Sequence, residues 1–327
     1  MIARLAVLRT SAARRSLGLP LAIAVLFFGF ALVEPSMLSA TNIGNILVQT
    51  SFLFVAACAQ LLVMLTRGFD LSIGANISIV SVASSMLMVA SVPILGPDLA
   101  VAAGILLGIA IGTAIGAANG ALVSYLKINP FVVTLGTLSI VGGLATTISG
   151  GFPIFGVPAQ FSYAFNQTSW LFLPAPLALS VALALVLHFL LSGTVHGRIL
   201  YLLGDNAEAA LVAGRRTSLH LFFAYVACGA VGALAGLMMT AQTGSGEPNL
   251  GGSFILDSIA AAVVGGASLR GGVGGVSAPL LGALLVTVLS VGMNLTKVDG
   301  SLQPVVVGLV VVASTFIDKL KLAANAE

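Results

Sequence analysis

The sequence predicts an all-α, polytopic transmembrane helical bundle of about ten spans with both termini cytoplasmic, and three observations lead there. Hydrophobic residues make up 58% of the 327 and charged residues only 7%, against about 25% charged in an ordinary soluble domain. Mean hydropathy is +1.14. The apolar runs are continuous over about 20 residues, the length that crosses ~30 Å of hydrocarbon as a helix, whereas barrel strands alternate apolar and polar over about ten.

Taken in order, the first five spans fall near Leu17 to Val33, Ile46 to Thr66, Ser72 to Val92, Leu99 to Tyr125 and Phe131 to Ser149. The next five fall near Leu171 to Leu191, Ser218 to Ala241, a short one from Asp257 to Leu269, Val276 to Leu295, and Leu302 to Ile317. Residues 1–16 are then a basic cytoplasmic segment, 17–317 the membrane domain with a cytoplasmic loop at 193–217, and 318–327 a cytoplasmic tail. With the N-terminus inside, Arg4, Arg9, Arg14, Arg15, Arg67, Lys127, Arg198, Arg215, Arg216, Arg270, Lys319 and Lys321 face the cytoplasm and only Lys297 lies outside. That asymmetry is the positive-inside pattern, and dropping or adding one span before residue 193 would put Arg198, Arg215 and Arg216 on the wrong side. The first run, preceded by four arginines, also has the outline of a secretory leader; a retained first helix fits the orientation.

Gly104, Gly108, Gly112, Gly116 and Gly120 recur every four residues and form a groove along one face of the fourth span, where another helix can approach closely. Proton- or sodium-driven carriers keep ionisable groups at mid-membrane despite their cost of about 2.5–3.5 kcal/mol each on insertion scales. Here nearly every charge lies at a span end or in a loop, so the energy must come from elsewhere. Neutral polar groups inside the spans are Gln60, Asn76, Asn119, Thr134 and Thr137. They suit the passage of a neutral polyol and suit helix–helix hydrogen bonding equally. Asp70 and Asp257 each precede a helical run, where a carboxylate accepts from unpaired amides; Asp257 is also a candidate for the transport path. Residues 265–275, rich in glycine, break the short eighth span; they suit a broken helix beside a transport path and suit an ordinary loop equally. Asn129-Pro130 suits a helix start.

Cys58 and Cys228 lie in apolar runs without CxxC or histidine neighbours, so they read as packing residues and no metal site is expected. The basic residues do not cluster with aromatics, which speaks against a nucleic-acid surface. No GxxxxGK[ST] motif occurs, so the chain has no P-loop of its own. No enzymatic constellation is present either.

The loop 193–217 is the most informative stretch. Asp205-Asn206 can cap a helix, Glu208 sits in its first turn, Ala209 and Ala210 continue it, and Gly214 can end it. So short a helix is marginal alone and is expected to dock on something. Glu208-Ala209-Ala210 followed by Gly214 matches the EAA-three-residues-Gly pattern with which ABC importer permeases engage an ATPase subunit, so Asn206, Glu208, Ala209, Ala210 and Gly214 are the expected coupling residues.

Four stretches together resemble the ribose-type permeases of the ABC monosaccharide importers. They are Gly68-Phe69-Asp70-Leu71-Ser72-Ile73-Gly74, Pro130 to Thr137 (PFVVTLGT), Gly197-Arg198 through Gly214, and Leu256 to Leu269 (LDSIAAAVVGGASL). Asp205, Gly142 and Arg270 depart from the family pattern, which leaves the particular sugar open. The resemblance implies a second permease copy, identical or similar, an ABC ATPase using ATP and Mg, a periplasmic sugar-binding protein, a bacterial inner membrane and alternating access. This chain itself would bind no cofactor. A branched-chain amino-acid permease of the same broad superfamily is the nearest alternative, and an ATP-independent carrier or channel a further one.

Overall fold

The computed structural model describes residues 2–166, 169–170, 173–212 and 214–324; the side chains of 2–17, 169–170, 314–315 and 317–324 are not among those described. Leu171, where the sixth span was expected to begin, and the side chains of Arg4, Arg9, Arg14, Arg15, Lys319 and Lys321 therefore lie outside the described residues. The helices are α1 (Ile2–Val33), α2 (Ala40–Met64), α3 (Ile73–Ser124), α4 (Pro130–Ser149), α5 (Ala159–Asn166), α6 (Ala175–Gly193), α7 (Val195–Asp205), α8 (Ala207–Val212), α9 (Thr217–Thr243), α10 (Phe254–Val264), α11 (Ser277–Leu295) and α12 (Gln303–Ala324). A pair of two-residue strands, Ser169–Trp170 and Leu173–Pro174, stands beside the helices. Among the described residues six helices are long and apolar enough to cross a membrane: α2, α3, α4, α6, α9 and α11.

Local chemistry explains the ends. Ser39 accepts the Asn42 amide at the start of α2, and Asn129 accepts the Phe131 amide with Pro130 as the first helical residue of α4. Gly150 and Gly244 close α4 and α9 in the left-handed conformation.

The third and fourth expected spans appear as the single run α3, whose 52 residues would measure roughly 78 Å if straight. It is not straight. Gly96, between Pro93 and Pro97, has φ 74 and ψ 167, outside the helical region. A glycine tolerates that conformation and the prolines cannot continue a ladder. The two arms fold back on each other: a Cβ on Gly104 would meet Met88, one on Gly108 would meet Val80, and one on Gly112 would meet Asn76. The turn is thus tighter than the loop expected between residues 92 and 99.

α2 occupies the centre. Its most apolar window is 83% buried, against 22% for α4 and for α6. It packs on α9, α10 and α11, while α9 packs chiefly on α3.

The second arm of α3 meets α9 through glycine. A side chain on Gly116 would strike the Tyr225 carbonyl, and one on Gly229 would strike Gly112 and Gly116, so the two backbones approach as closely as small residues permit.

After Gly244 the chain turns back along the first arm of α3. Gly246 lies against Ser85 and Ser81, and Gly251 meets Gly74. The descent covers eleven positions of α3, roughly 16 Å, and the eleven residues of α10 add about as much again. This stretch is therefore half irregular and half helical. Its helix, Phe254–Val264, begins earlier and ends sooner than the expected Asp257 to Leu269.

Candidate functional site

Between α6 and α9 the chain forms two short helices where sequence alone suggested one. α7 begins at Thr194, whose hydroxyl accepts the Gly197 amide, and buries Ile199 and Leu203 against Ala210. α8 begins at Asn206, whose Oδ1 accepts the Ala209 amide at 2.9 Å. Glu208 lies in its first turn, favourably placed against the helix dipole. Gly214 follows with φ 71, and the Arg215 amide returns to the Ala210 carbonyl at 3.1 Å, so the chain turns out of α8 through a conformation suited to glycine.

The two faces of α8 differ. Ala210 is fully buried, while Leu211 and Val212 are 64% and 89% exposed. Two large apolar side chains thus turn outward from a six-residue helix.

The far end of α7 is held at a three-way junction. Arg67 donates from Nε to the Gly204 carbonyl and from an Nη to the Asp205 carbonyl, both at 2.6 Å. These are helix C-terminal carbonyls, which otherwise lack partners and attract a cation. The Gly272 amide reaches the Leu65 carbonyl at 3.0 Å, and Tyr201 Oη donates to the Gly274 carbonyl at 2.8 Å. A Cβ on Gly204 would collide with Leu65 and Gly272. The junction thus ties the α7 end to the loop after α2 and to the glycine-rich loop before α11.

Beyond Arg67 the polar residues flagged in the sequence fall into a chain. Asp70, buried, accepts from the Ser72 amide at 2.8 Å and from its hydroxyl at 2.5 Å, so it closes an Asx turn that leads into α3, while Ser72 holds the N-cap position and the capping reading of Asp70 is corrected. Cys228 Sγ donates to Asp70 at 3.5 Å, giving a residue read as packing a polar contact as well. Asn119 Nδ2 donates to Ser72 Oγ at 2.9 Å, and Thr137 Oγ1 donates to Asn119 Oδ1 at 2.6 Å. Thr134 turns onto its own helix, donating to Pro130 at 2.9 Å. Asn76 donates to the Gly229 carbonyl at 3.0 Å, while its Oδ1 and both amide atoms of fully buried Gln60 have no partner.

Asp257 stands apart from that chain. It lies inside the first turn of α10, not ahead of the helix; Ser253 is at the N-cap, so the capping reading is corrected. It is half-buried, with exposed Gly252, Ser253 and Leu256 beside it. Across the descending segment, Ser81 Oγ accepts the Glu247 amide at 3.0 Å and Ser78 Oγ accepts the Gly251 amide at 3.1 Å. These hydroxyls replace the bonds a helix would have made, so the irregular backbone keeps its amides paired. Sequence reasoning missed Arg67, Ser78 and Ser81 because their partners lie more than a hundred positions away. Among the described residues no three of His, Cys, Asp or Glu converge as a metal site would need.

A bundle of long apolar helices that presents a short capped helix outside its apolar spans has the form of a membrane transport component. Residues 42–315 match the family described as branched-chain amino acid transport system / permease component, and the chain belongs to that family. It is similar to the ribose import permease of Bacillus subtilis, 36% identical over 310 residues that cover 94% of each chain. It is also similar to two permeases of Escherichia coli: the D-allose transport system permease, 34% identical over 300 residues (92% and 90% of the two chains), and the L-arabinose transport system permease, 33% identical over 308 residues (94% and 92%). No solved structure matches the chain.

Proposed function

We propose that this chain is the membrane permease of an ATP-driven, binding-protein-dependent importer of a ribose-like monosaccharide or polyol. The observation that carries the reading is α8: a helix capped by Asn206, turned by Gly214 and exposing Leu211 and Val212 outside the apolar bundle. Such a helix fits a cleft on an ATPase that supplies the nucleotide chemistry absent from this sequence. The sugar relatives named above support the substrate class over an amino acid, even though the family's description mentions branched-chain amino acids.

In this reading the chain makes ten passes. α3 supplies two, and the shorter apolar stretches 18–33, 254–264 and 300–313 complete those made by the long helices. Both termini face the cytoplasm of a bacterium whose inner membrane holds the complex. A second permease copy, two ATPase domains using ATP and Mg, and a periplasmic sugar-binding protein complete it. Substrate crosses by alternating access. Asp257 and Thr137 are the candidate pathway groups within reach of the surface in this conformation, whereas Gln60, Asn76, Asn119 and Thr134 are enclosed and meet substrate only after the helices rearrange.

The test is uptake of a radiolabelled pentose and hexose panel by cells carrying the whole transporter, wild type against Gly214→Glu. A left-handed position strains any side chain, and the new charge enters the docking surface. Uptake of one sugar should fall at least tenfold with the variant still in the membrane. Uptake indifferent to this change and to removal of the ATPase would replace the importer with a carrier or channel.

A further inference from the structure

Arg67 is exposed, yet both ends of the residue are committed. Its guanidinium holds Gly204 and Asp205, the residues immediately before the Asn206 cap of α8. Its backbone has φ 65, a left-handed conformation uncommon for a side-chain-bearing residue, and its amide bonds the Met64 carbonyl at the end of α2. The next residue, Gly68, has no room for a Cβ beneath Tyr225. Three residues on, the buried chain begins, passing from Asp70 to Ser72, to Asn119 on the second arm of α3 and to Thr137 on α4.

We propose that Arg67 is the positioning residue that delivers movement of α8 into the membrane, through the series Asp205, Arg67, Asp70, Ser72, Asn119 and Thr137. The inference rests on the coupling role proposed for α8. Three features make the series a strut. The guanidinium is a rigid planar fork gripping two successive carbonyls, so it resists rotation as well as separation. Asp70, Ser72 and Asn119 are buried, where breaking a hydrogen bond exposes an unpaired group to a low dielectric, so a pull on one member displaces the next. The glycine contacts at 204, 271 and 272 leave no slack between the α7 end, the Arg67 loop and the loop before α11, and close-packed groups transmit displacement.

The plainer role for Arg67, a cap that steadies α7, predicts a different outcome. In the complete complex, reconstituted in liposomes with its ATPase and a sugar-loaded binding protein, ATP hydrolysed per sugar transported separates the two. With Arg67→Met, transport should fall about tenfold while hydrolysis stays within about twofold, and Arg67→Lys should lie between. Thr137→Val, at the far end and nearly isosteric, should raise the ratio by about threefold. The double variant Arg67→Met/Thr137→Val should be no worse than Arg67→Met alone, because members of one series do not act additively.

An unchanged ratio with a lowered melting temperature in Arg67→Met reduces the residue to a cap and overturns the proposal. So does an unchanged ratio in Thr137→Val, or effects that multiply in the double variant. If Arg67→Met does not assemble, Arg67→Lys and Thr137→Val decide the matter alone. Wild-type transport that ignores ATP would sink the reading of α8 itself, a result distinct from an ATP-dependent wild type whose ratio ignores Arg67.

Discussion

The seam between α3 and α9 and the broken pass that ends in α10 solve the same problem in opposite ways. Both must satisfy backbone polar groups away from water. At the seam each helix satisfies its own, and glycines at 112, 116 and 229 bring the two close enough for dispersion contacts along their length. In the broken pass the backbone between Gly244 and Phe254 leaves the helix and borrows hydroxyls from Ser78 and Ser81. The first arrangement has one good register, because any shift drives backbone into backbone. The second hangs on single hydrogen bonds, each worth about 1 kcal/mol net, and can be remade at modest cost. Rigidity and adaptability therefore sit on opposite sides of the first arm of α3.

The contrast can be broken most sharply at Gly116. Gly116→Leu places a side chain into the Tyr225 carbonyl, beyond the ~1–3 kcal/mol of ordinary overpacking, so folded protein should not be recovered after solubilisation. Gly143→Leu on α4, where nothing lies within 4 Å, should change the melting temperature little. Equal tolerance of the two would show that the seam is not the rigid element.

A smaller effect is expected at Ser81. Ser81→Ala orphans the Glu247 amide, costing about 1–3 kcal/mol, while Thr240 Oγ1 keeps the Gly236 carbonyl as its acceptor. Hydrogen exchange should quicken in residues 245–253 while the α3–α9 seam keeps its protection. Uniform loss of protection would mean that the two regions open together.

The smallest effect has the opposite sign. Gln60→Leu removes an enclosed amide with no partner and should raise the melting temperature, by about 1 kcal/mol of stability. If another conformation exposes Gln60 to substrate, transport should fall as stability rises. A gain in stability with transport intact would assign Gln60 no part in the path.

Much of this was readable beforehand, and the reasons differ by residue. The cap at Asn206, the turn at Gly214 and the start at Asn129-Pro130 are local devices, written in consecutive letters. The glycine series from 104 to 120 announces a close approach but not its partner, since a groove does not name what fills it; α9 emerges only in three dimensions. Gln60, Asn76, Asn119 and Thr134 were recognisable as buried polar groups, but whether each faces a path or a neighbour depends on the rotation of helices about one another. Arg67 was counted as one more inside charge. Its partners are backbone carbonyls, which every residue carries, so no side-chain pattern points to them.

The turn at Gly96 bears on how the protein is made. With the cytoplasmic orientation proposed above, the apex of α3 is the part that has to pass through the bilayer during synthesis. It is four residues between Pro93 and Asp98, and its prolines bring no backbone N–H groups of their own to be stripped of water. Asp98 is the single charge carried with it, a burden of about 2.5–3.5 kcal/mol at mid-membrane, small beside the apolar gain of two flanking arms. A ribosome that has just released both arms can therefore hand them to the membrane as one hairpin, and the glycine face is then complete before α9, its eventual neighbour, has been translated.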